Sequence, residues 1–233
     1  VGSNIFNAFA IIGISALVTP IVCRKEVLLR DMPVNIVATM LILLCVFVPW
    51  DGQSGIISRT EGILFLVIFI IYLVVTFRTS KPSAEGKSSL PPMAVWKALL
   101  LIAAGLAGLI LGGNWFVDGA SGIAALLGVS EAVISLTIVA MGTSFPELAT
   151  SVMAARKGDT DMAIGNALGS NIFNAIFVLG VAATVNPLTR GHIDWAIFGF
   201  LLLSAILPFL FCLCSRRRRI GLWQGVVLTL CIV

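Results

Sequence analysis

Residues 140–179 read AMGTSFPELATSVMAARKGDTDMAIGNALGSNIFNAIFVL, and this stretch decides the fold. Two apolar segments each carry a polar cluster near their middle: Gly142-Thr143-Ser144-Phe145-Pro146-Glu147, then Gly169-Ser170-Asn171-Ile172-Phe173-Asn174. A carboxylate and a proline within hydrocarbon-length segments are costly, so each should have a use. Half of the pair recurs at the start of the chain. Residues 1–20 (VGSNIFNAFAIIGISALVTP) align without gaps on residues 168–187 (LGSNIFNAIFVLGVAATVNP), with 11 identities in 20 positions. A repeated intramembrane polar motif points to a transporter built from two copies of one unit.

Composition agrees. The chain is 59% apolar and 11% charged, against about 45–50% and about 25% in soluble domains. The apolar runs are too long and continuous for barrel strands, so the expected class is an all-α, multi-pass membrane protein. The five cysteines all lie in or beside apolar segments and read as small hydrophobes. No cofactor or nucleic-acid partner is expected; the partners are ions and the lipid bilayer.

Charged and turn-rich breaks divide the chain into helices over 1–23, 33–50, 62–77, 94–127, 132–155, 162–185, 195–213 and a last one from residue 220. Both ends look cut. If Ser3 matches Ser170, the chain begins at mid-membrane, and residues 223–233 are too short to cross about 30 Å. With 94–127 taken as one tilted crossing, alternate loops place 13 of the 15 basic residues on one side, leaving only Arg59 and Arg190 opposite. The rich side is then cytoplasmic. The two copies of GSNIFN end on opposite sides, as an inverted-topology repeat requires. The expected division is 1–77 for the remainder of a first repeat, 78–93 for a cytoplasmic linker, and 94–233 for a second repeat containing 132–187.

Within 132–155, Thr143 and Ser144 lie four and three residues before Glu147, and all three can share a helix face. Glu147 lies ten residues, roughly 15 Å, from Lys157 and so near the midplane. Pro146 lacks an N–H and disturbs the carbonyl one turn back, on Gly142. Ser170 and Asn174 share a face, and Ser3 and Asn7 reproduce them in the other copy. Hydroxyls, amide oxygens, freed carbonyls and a carboxylate suit hard cations such as Ca²⁺, whereas softer metals call for Cys and His. Asn4 and Asn171 lie off that face and are expected to pair helices or to bond backbone. Gly165 and Gly169, four apart, are expected to admit a close neighbouring helix. Asp159 and Asp161 suit the start of the following helix.

GTSFPELATSV followed by GDTDMAIGNALGSNIFN resembles the second α-repeat of the calcium/cation antiporter superfamily, sodium/calcium exchanger branch, and VGSNIFN resembles the tail of the first. The resemblance implies a ten-helix inverted-repeat antiporter, of which about eight helices are present, with ion sites between the α-repeats. Carried over by position, the ligands are Ser3, Asn7, the Ala140 carbonyl, Thr143, Ser144, Glu147, Ser170 and Asn174. It also implies that the first repeat's own GTSxPE segment, with a second glutamate, is needed to complete the site. Potassium-dependent members typically carry Asp where this chain has Asn174, and proton-coupled members write the motif differently. The expectation is therefore Na⁺/Ca²⁺ antiport across the cytoplasmic membrane. Ca²⁺/H⁺ exchange, potassium-dependent exchange and a passive cation channel stand as alternatives.

Overall fold

A computed structural model describes residues 1–48, 55–79, 94–189, 195–215 and 218–232, with the backbone alone for Ala132, Ser135 and Leu136. Helices account for nearly all of it. In chain order they are α1 (Gly2–Val18), α2 (Val27–Phe47), α3 (Arg59–Thr79), α4 (Val95–Leu126), α5 (131–143), α6 (Phe145–Arg156), α7 (Thr160–Val185), α8 (Trp195–Cys214) and α9 (Leu222–Leu230). Among the described residues α5 and α6 form one broken segment, so eight segments follow in the expected order. Five of them (α2, α3, α4, α7 and α8) are 20 to 32 residues long and apolar enough to cross a bilayer. The 94–127 run is indeed one helix, α4, of 32 residues. Most of the expected linker, residues 80–93, lies outside the described residues, as do Arg190, Arg216 and Arg217; Arg78 and Thr79 close α3 instead.

Four two-residue strands join the loops: β1 (Ile21–Val22) pairs antiparallel with β4 (Arg219–Ile220), and β2 (Ile56–Ile57) pairs with β3 (Leu188–Thr189). These ladders establish the relation between the two GSNIFN copies. α1 runs into β1 and α7 runs into β3. Between β1 and β2 stands α2, 21 residues or about 30 Å long. The C-terminal ends of α1 and α7 therefore lie at opposite ends of α2, and the two copies run antiparallel. The order α1-β1-α2-β2-α3 is repeated as α7-β3-α8-β4-α9. A two-fold operation exchanging these sets also exchanges the β1–β4 pair with the β3–β2 pair. This is an inverted repeat.

Close helix contacts obey the same operation. α1 crosses α9 where a Cβ on Gly13 would stand 2.6 Å from the Thr229 hydroxyl oxygen and 3.1 Å from the Gly225 carbonyl oxygen. Its counterpart is α7 on α3, where a Cβ on Gly62 would stand 2.8 Å from the Thr184 nitrogen and 2.9 Å from the Gly180 carbonyl oxygen. Backbone meets backbone at both crossings, as small residues permit in membrane helices. The pair expected to do this, Gly165 and Gly169, does not: a Cβ added to either would have no neighbour within 4 Å among the described residues, so that expectation is corrected. On the axis, Asn4 Nδ2 donates to the Asn171 carbonyl and Asn171 Nδ2 donates to the Asn4 carbonyl, both at 3.1 Å. These two asparagines pair the copies, as their position off the ligand face suggested.

Basic residues gather at the β1–β4 end. Arg24 pairs with Asp161 at the start of α7, Arg30 donates to Thr79 Oγ1 at the end of α3, and Cys23 N–H donates to the Arg218 carbonyl. Asp159 caps α7 by accepting from the Met162 N–H at 3.0 Å, after a turn that Gly158 makes at φ +79°. At the opposite end Arg59 reaches the Val185 carbonyl. Cysteines introduced at Ser58 and Ser80 should react with impermeant reagents from opposite faces of the membrane; labelling of both from one face would refute this topology.

Cys23 and Cys212, both buried and 189 residues apart, form a disulfide beside the β1–β4 ladder. That corrects the reading of every cysteine as a small hydrophobe. The two-fold fold, not sequence proximity, brings this pair together. Cys45, Cys214 and Cys231 are free.

Candidate functional site

The expected continuous helix over 132–155 is broken. α5 ends at Thr143, Ser144 leaves the helical region at φ −100°, ψ 5°, and α6 departs at 56° to the preceding segment. Pro146 explains where the new helix starts. It occupies the first turn of α6, where a missing N–H leaves no bond unmade and the fixed φ is already helical. Glu147 thus falls in that first turn, three residues after the N-cap Ser144. The helix dipole favours an anion there.

The break also releases an acceptor. The Ser144 N–H donates to the Met141 carbonyl at 3.0 Å, not one residue further back. The Ala140 carbonyl is left to the Thr143 hydroxyl, 3.1 Å away. Across the repeat interface, Ser3 Oγ stands 3.4 Å from Thr143 Oγ1. Ala140, Thr143 and Ser3 therefore form one polar group drawn from both copies. Ser144 is 2% exposed.

π-turns occupy matching places in the two GSNIFN helices, at Asn7–Ile11 and Phe173–Val178. Each opens just at or before the motif's last asparagine and widens the ladder there, a distortion common at functional sites. Asn7 is 1% exposed and its Oδ1 has no hydrogen-bond donor among the described residues; the Glu147 Oε2, also buried, has none there either. Buried carbonyl and carboxylate oxygens are ordinarily satisfied. Asn4, Asn35 and Asn171 Oδ1 lack a donor among the described residues as well, so Glu147 is set apart by its charge. No lysine or arginine among the described residues pairs with Glu147. Asn174 and Ser3 line one cavity of about 210 Å³ together with Asn4 and Val1. Ser170 lies one turn before Asn174 and is half-buried, with no hydrogen bond to the other candidates among the described residues.

Sequence reasoning missed two features. The break is crossed by α4: a Cβ on Gly113 would stand 2.9 Å from the Gly142 carbonyl oxygen, and the Phe116 and Phe145 rings meet edge to face at 4.9 Å. Gly142 is thus a packing residue, since a Cβ there would strike Val117. Asn166, in the IGNAL segment between the two motifs, bonds to the first two turns of α6. Its only sequence signal is its spacing, four residues before Ser170 and eight before Asn174.

The arrangement offers one carboxylate at a helix break and, at the same break, a hydroxyl and carbonyl group drawn from both antiparallel copies. Among the described residues no three His, Cys, Asp or Glu side chains cluster. Such a donor set fits weakly held hard cations in transit better than a resident metal.

Comparison with known proteins agrees with this geometry. Residues 1–78 and 97–231 match the family model for the sodium/calcium exchanger protein. A putative antiporter, CaxA, from Alkalimonas amylolytica is 37% identical over 247 residues, covering the whole of this chain and 74% of the relative. The sodium/calcium exchanger MaX1 of Methanosarcina acetivorans is 46% identical over 114 residues, 48% of this chain and 32% of that protein. The solved structure of the sodium-calcium exchanger NCX_Mj superposes with a TM-score of 0.74 at 30% identity, over 99% of this chain and 72% of that one. The chain is a multi-pass membrane transporter belonging to the sodium/calcium exchanger family.

Proposed function

We propose that this protein is a secondary active antiporter that exchanges Na⁺ for Ca²⁺ across the cytoplasmic membrane by alternating access. The observation that carries the proposal is the half-buried Glu147 carboxylate at the helix break, whose Oε2 is buried and has no donor among the described residues. An unpaired carboxylate at such depth is not a packing device, because leaving it uncompensated costs several kcal/mol. A cation supplies the missing charge. The ligand set we assign is the Ala140 carbonyl, Thr143, Ser144 and Glu147 from the broken helix, Ser170 and Asn174 from α7, and Ser3 and Asn7 from α1. In the full gene product we expect the GTSxPE segment of the first repeat to complete it.

The inverted repeat supports the transport cycle. Two antiparallel copies meeting at Asn4 and Asn171 give a site that can be approached from either side as the copies rearrange. Sodium is favoured as the driving ion by the neutral Asn174 and Asn7 amides, which offer oxygens without a titrating proton. The basic β1–β4 end faces the cytoplasm in this reading.

Calcium uptake into sodium-loaded vesicles containing the full gene product tests the proposal. Uptake should follow the imposed sodium gradient. Uptake that follows a pH gradient and ignores sodium would identify proton exchange instead, and calcium flux needing no counter-ion would identify a channel.

A further inference from the structure

We infer that Asn166 is a positioning residue for Glu147, an inference that rests on Glu147 being a transported-cation ligand. Its side-chain nitrogen stands 3.0 Å from the Glu147 carbonyl oxygen, 2.9 Å from Thr150 Oγ1 and 3.0 Å from Ser151 Oγ. A carbonyl can only accept, so the contact with Glu147 fixes the amide with its NH₂ towards α6. The two N–H groups of one amide are thereby shared among three acceptors, at residues 147, 150 and 151, on the first two turns of the helix that carries Glu147.

The site needs such a clamp for three reasons. α6 begins at a 56° break, so its roll about its own axis is not inherited from α5. Pro146 offers no N–H to tie the first turn back. The Glu147 carboxylate has one oxygen without a hydrogen-bond donor, so side-chain bonding leaves that end unanchored. Its backbone must then be held, and Asn166 holds it.

Register completes the argument. Asn166, Ser170 and Asn174 stand at i, i+4 and i+8 on α7, the same face of one helix. The first member grips α6 while the other two belong to the proposed ligand set. Asn166 therefore sets the position of the Glu147 carboxylate relative to the oxygens of α7. Ser151 is fully buried, and the Asn166 amide is the donor to its hydroxyl.

The test compares Asn166→Leu, Asn166→Ser and Glu147→Gln in the full gene product, reconstituted for sodium-driven calcium uptake. A ligand displaced by even an ångström loses affinity steeply, so Asn166→Leu should raise the KM for Ca²⁺ by about tenfold or more with a much smaller change in kcat. Asn166→Ser keeps a donor and should recover part of that loss. Replacing Asn166 with Leu leaves the buried Ser151 hydroxyl without a donor. If that variant fails to accumulate, Asn166→Leu with Ser151→Ala carries the same measurement. An unchanged KM in a folded leucine variant, while Glu147→Gln is inactive, overturns the inference and leaves the cation site standing. Normal transport by Glu147→Gln removes the cation-site reading and the inference with it.

Discussion

Glu147→Gln should abolish sodium-driven calcium transport while leaving a folded, membrane-inserted protein. The substitution nearly conserves shape and removes only the charge. In the present structure the buried Oε2 has no donor to lose, so the fold does not depend on the carboxylate's hydrogen bonds. In the proposed site a bound cation does depend on it. Removing one partner from a buried, hydrogen-bonded charge pair costs about 2–5 kcal/mol, and about 3 kcal/mol already weakens binding about 100-fold. Calcium uptake should therefore fall by at least about that factor at subsaturating calcium. Asp118→Asn is the matched control: Asp118 is exposed on α4 and has no part in the proposed ligand set, and its replacement should leave uptake near normal. Flux by Glu147→Gln within twofold of the parent protein would remove Glu147 from the ligand set.

Where the sequence was legible, it was so because membrane helices obey coarse rules. Apolar length marked α2, α3, α4, α7 and α8, since every backbone polar group in a bilayer must be bonded within its own helix. The 11 identities between 1–20 and 168–187 exposed the repeat, and loop charge gave its inversion. Both reappear as the symmetric β1–β4 and β2–β3 ladders. Asn4 and Asn171 could be assigned to pairing because they fall off the i, i+4 face of their neighbours.

The site's detail was less legible, for local reasons. Pro146 signalled a disturbance, but a proline reads alike whether it kinks a helix or begins one. At the 56° break α4 packs Gly113 onto Gly142, a contact between residues 29 positions apart. The π-turns leave no mark in composition. Asn166 sits among small residues whose spacing fits packing as well as bonding. Gly165-x-x-x-Gly169 looked like a helix-contact motif, but spacing alone does not say which partner is present. The glycines at the closest crossings here, Gly13 with Gly225 and Gly62 with Gly180, lie far apart in sequence, where no i, i+4 rule could pair them.

Those four glycines support the prediction with the largest effect on folding. Gly13→Leu and Gly62→Leu should each prevent recovery of monodisperse protein or lower its Tm sharply. At Gly13 a Cβ would stand 2.6 Å from Thr229 Oγ1 and 3.0 Å from the Thr229 nitrogen; at Gly62 it would stand 2.9 Å from both the Ala183 Cβ and the Gly180 carbonyl oxygen. Most of these neighbours are backbone or Cβ atoms that no rotamer change can move, so the two helices must separate. Overpacking costs about 1–3 kcal/mol where side chains can yield, and more where they cannot. At roughly 2–4 °C per kcal/mol for a chain of this size, a loss of about 3 kcal/mol lowers Tm by about 6–12 °C. The two-fold relation sharpens the expectation: Gly13 and Gly180 are equivalent positions of the aligned copies, so Gly13→Val and Gly180→Val should be damaging to a similar degree. Gly105→Ala on α4, where nothing lies within 4 Å, provides the contrast and should be neutral or mildly stabilising. Size-exclusion profiles and thermal melts of the purified variants decide the matter. A Gly62→Leu protein that elutes as one peak and melts within about 2 °C of its parent would mean that α3 and α7 are not held backbone to backbone.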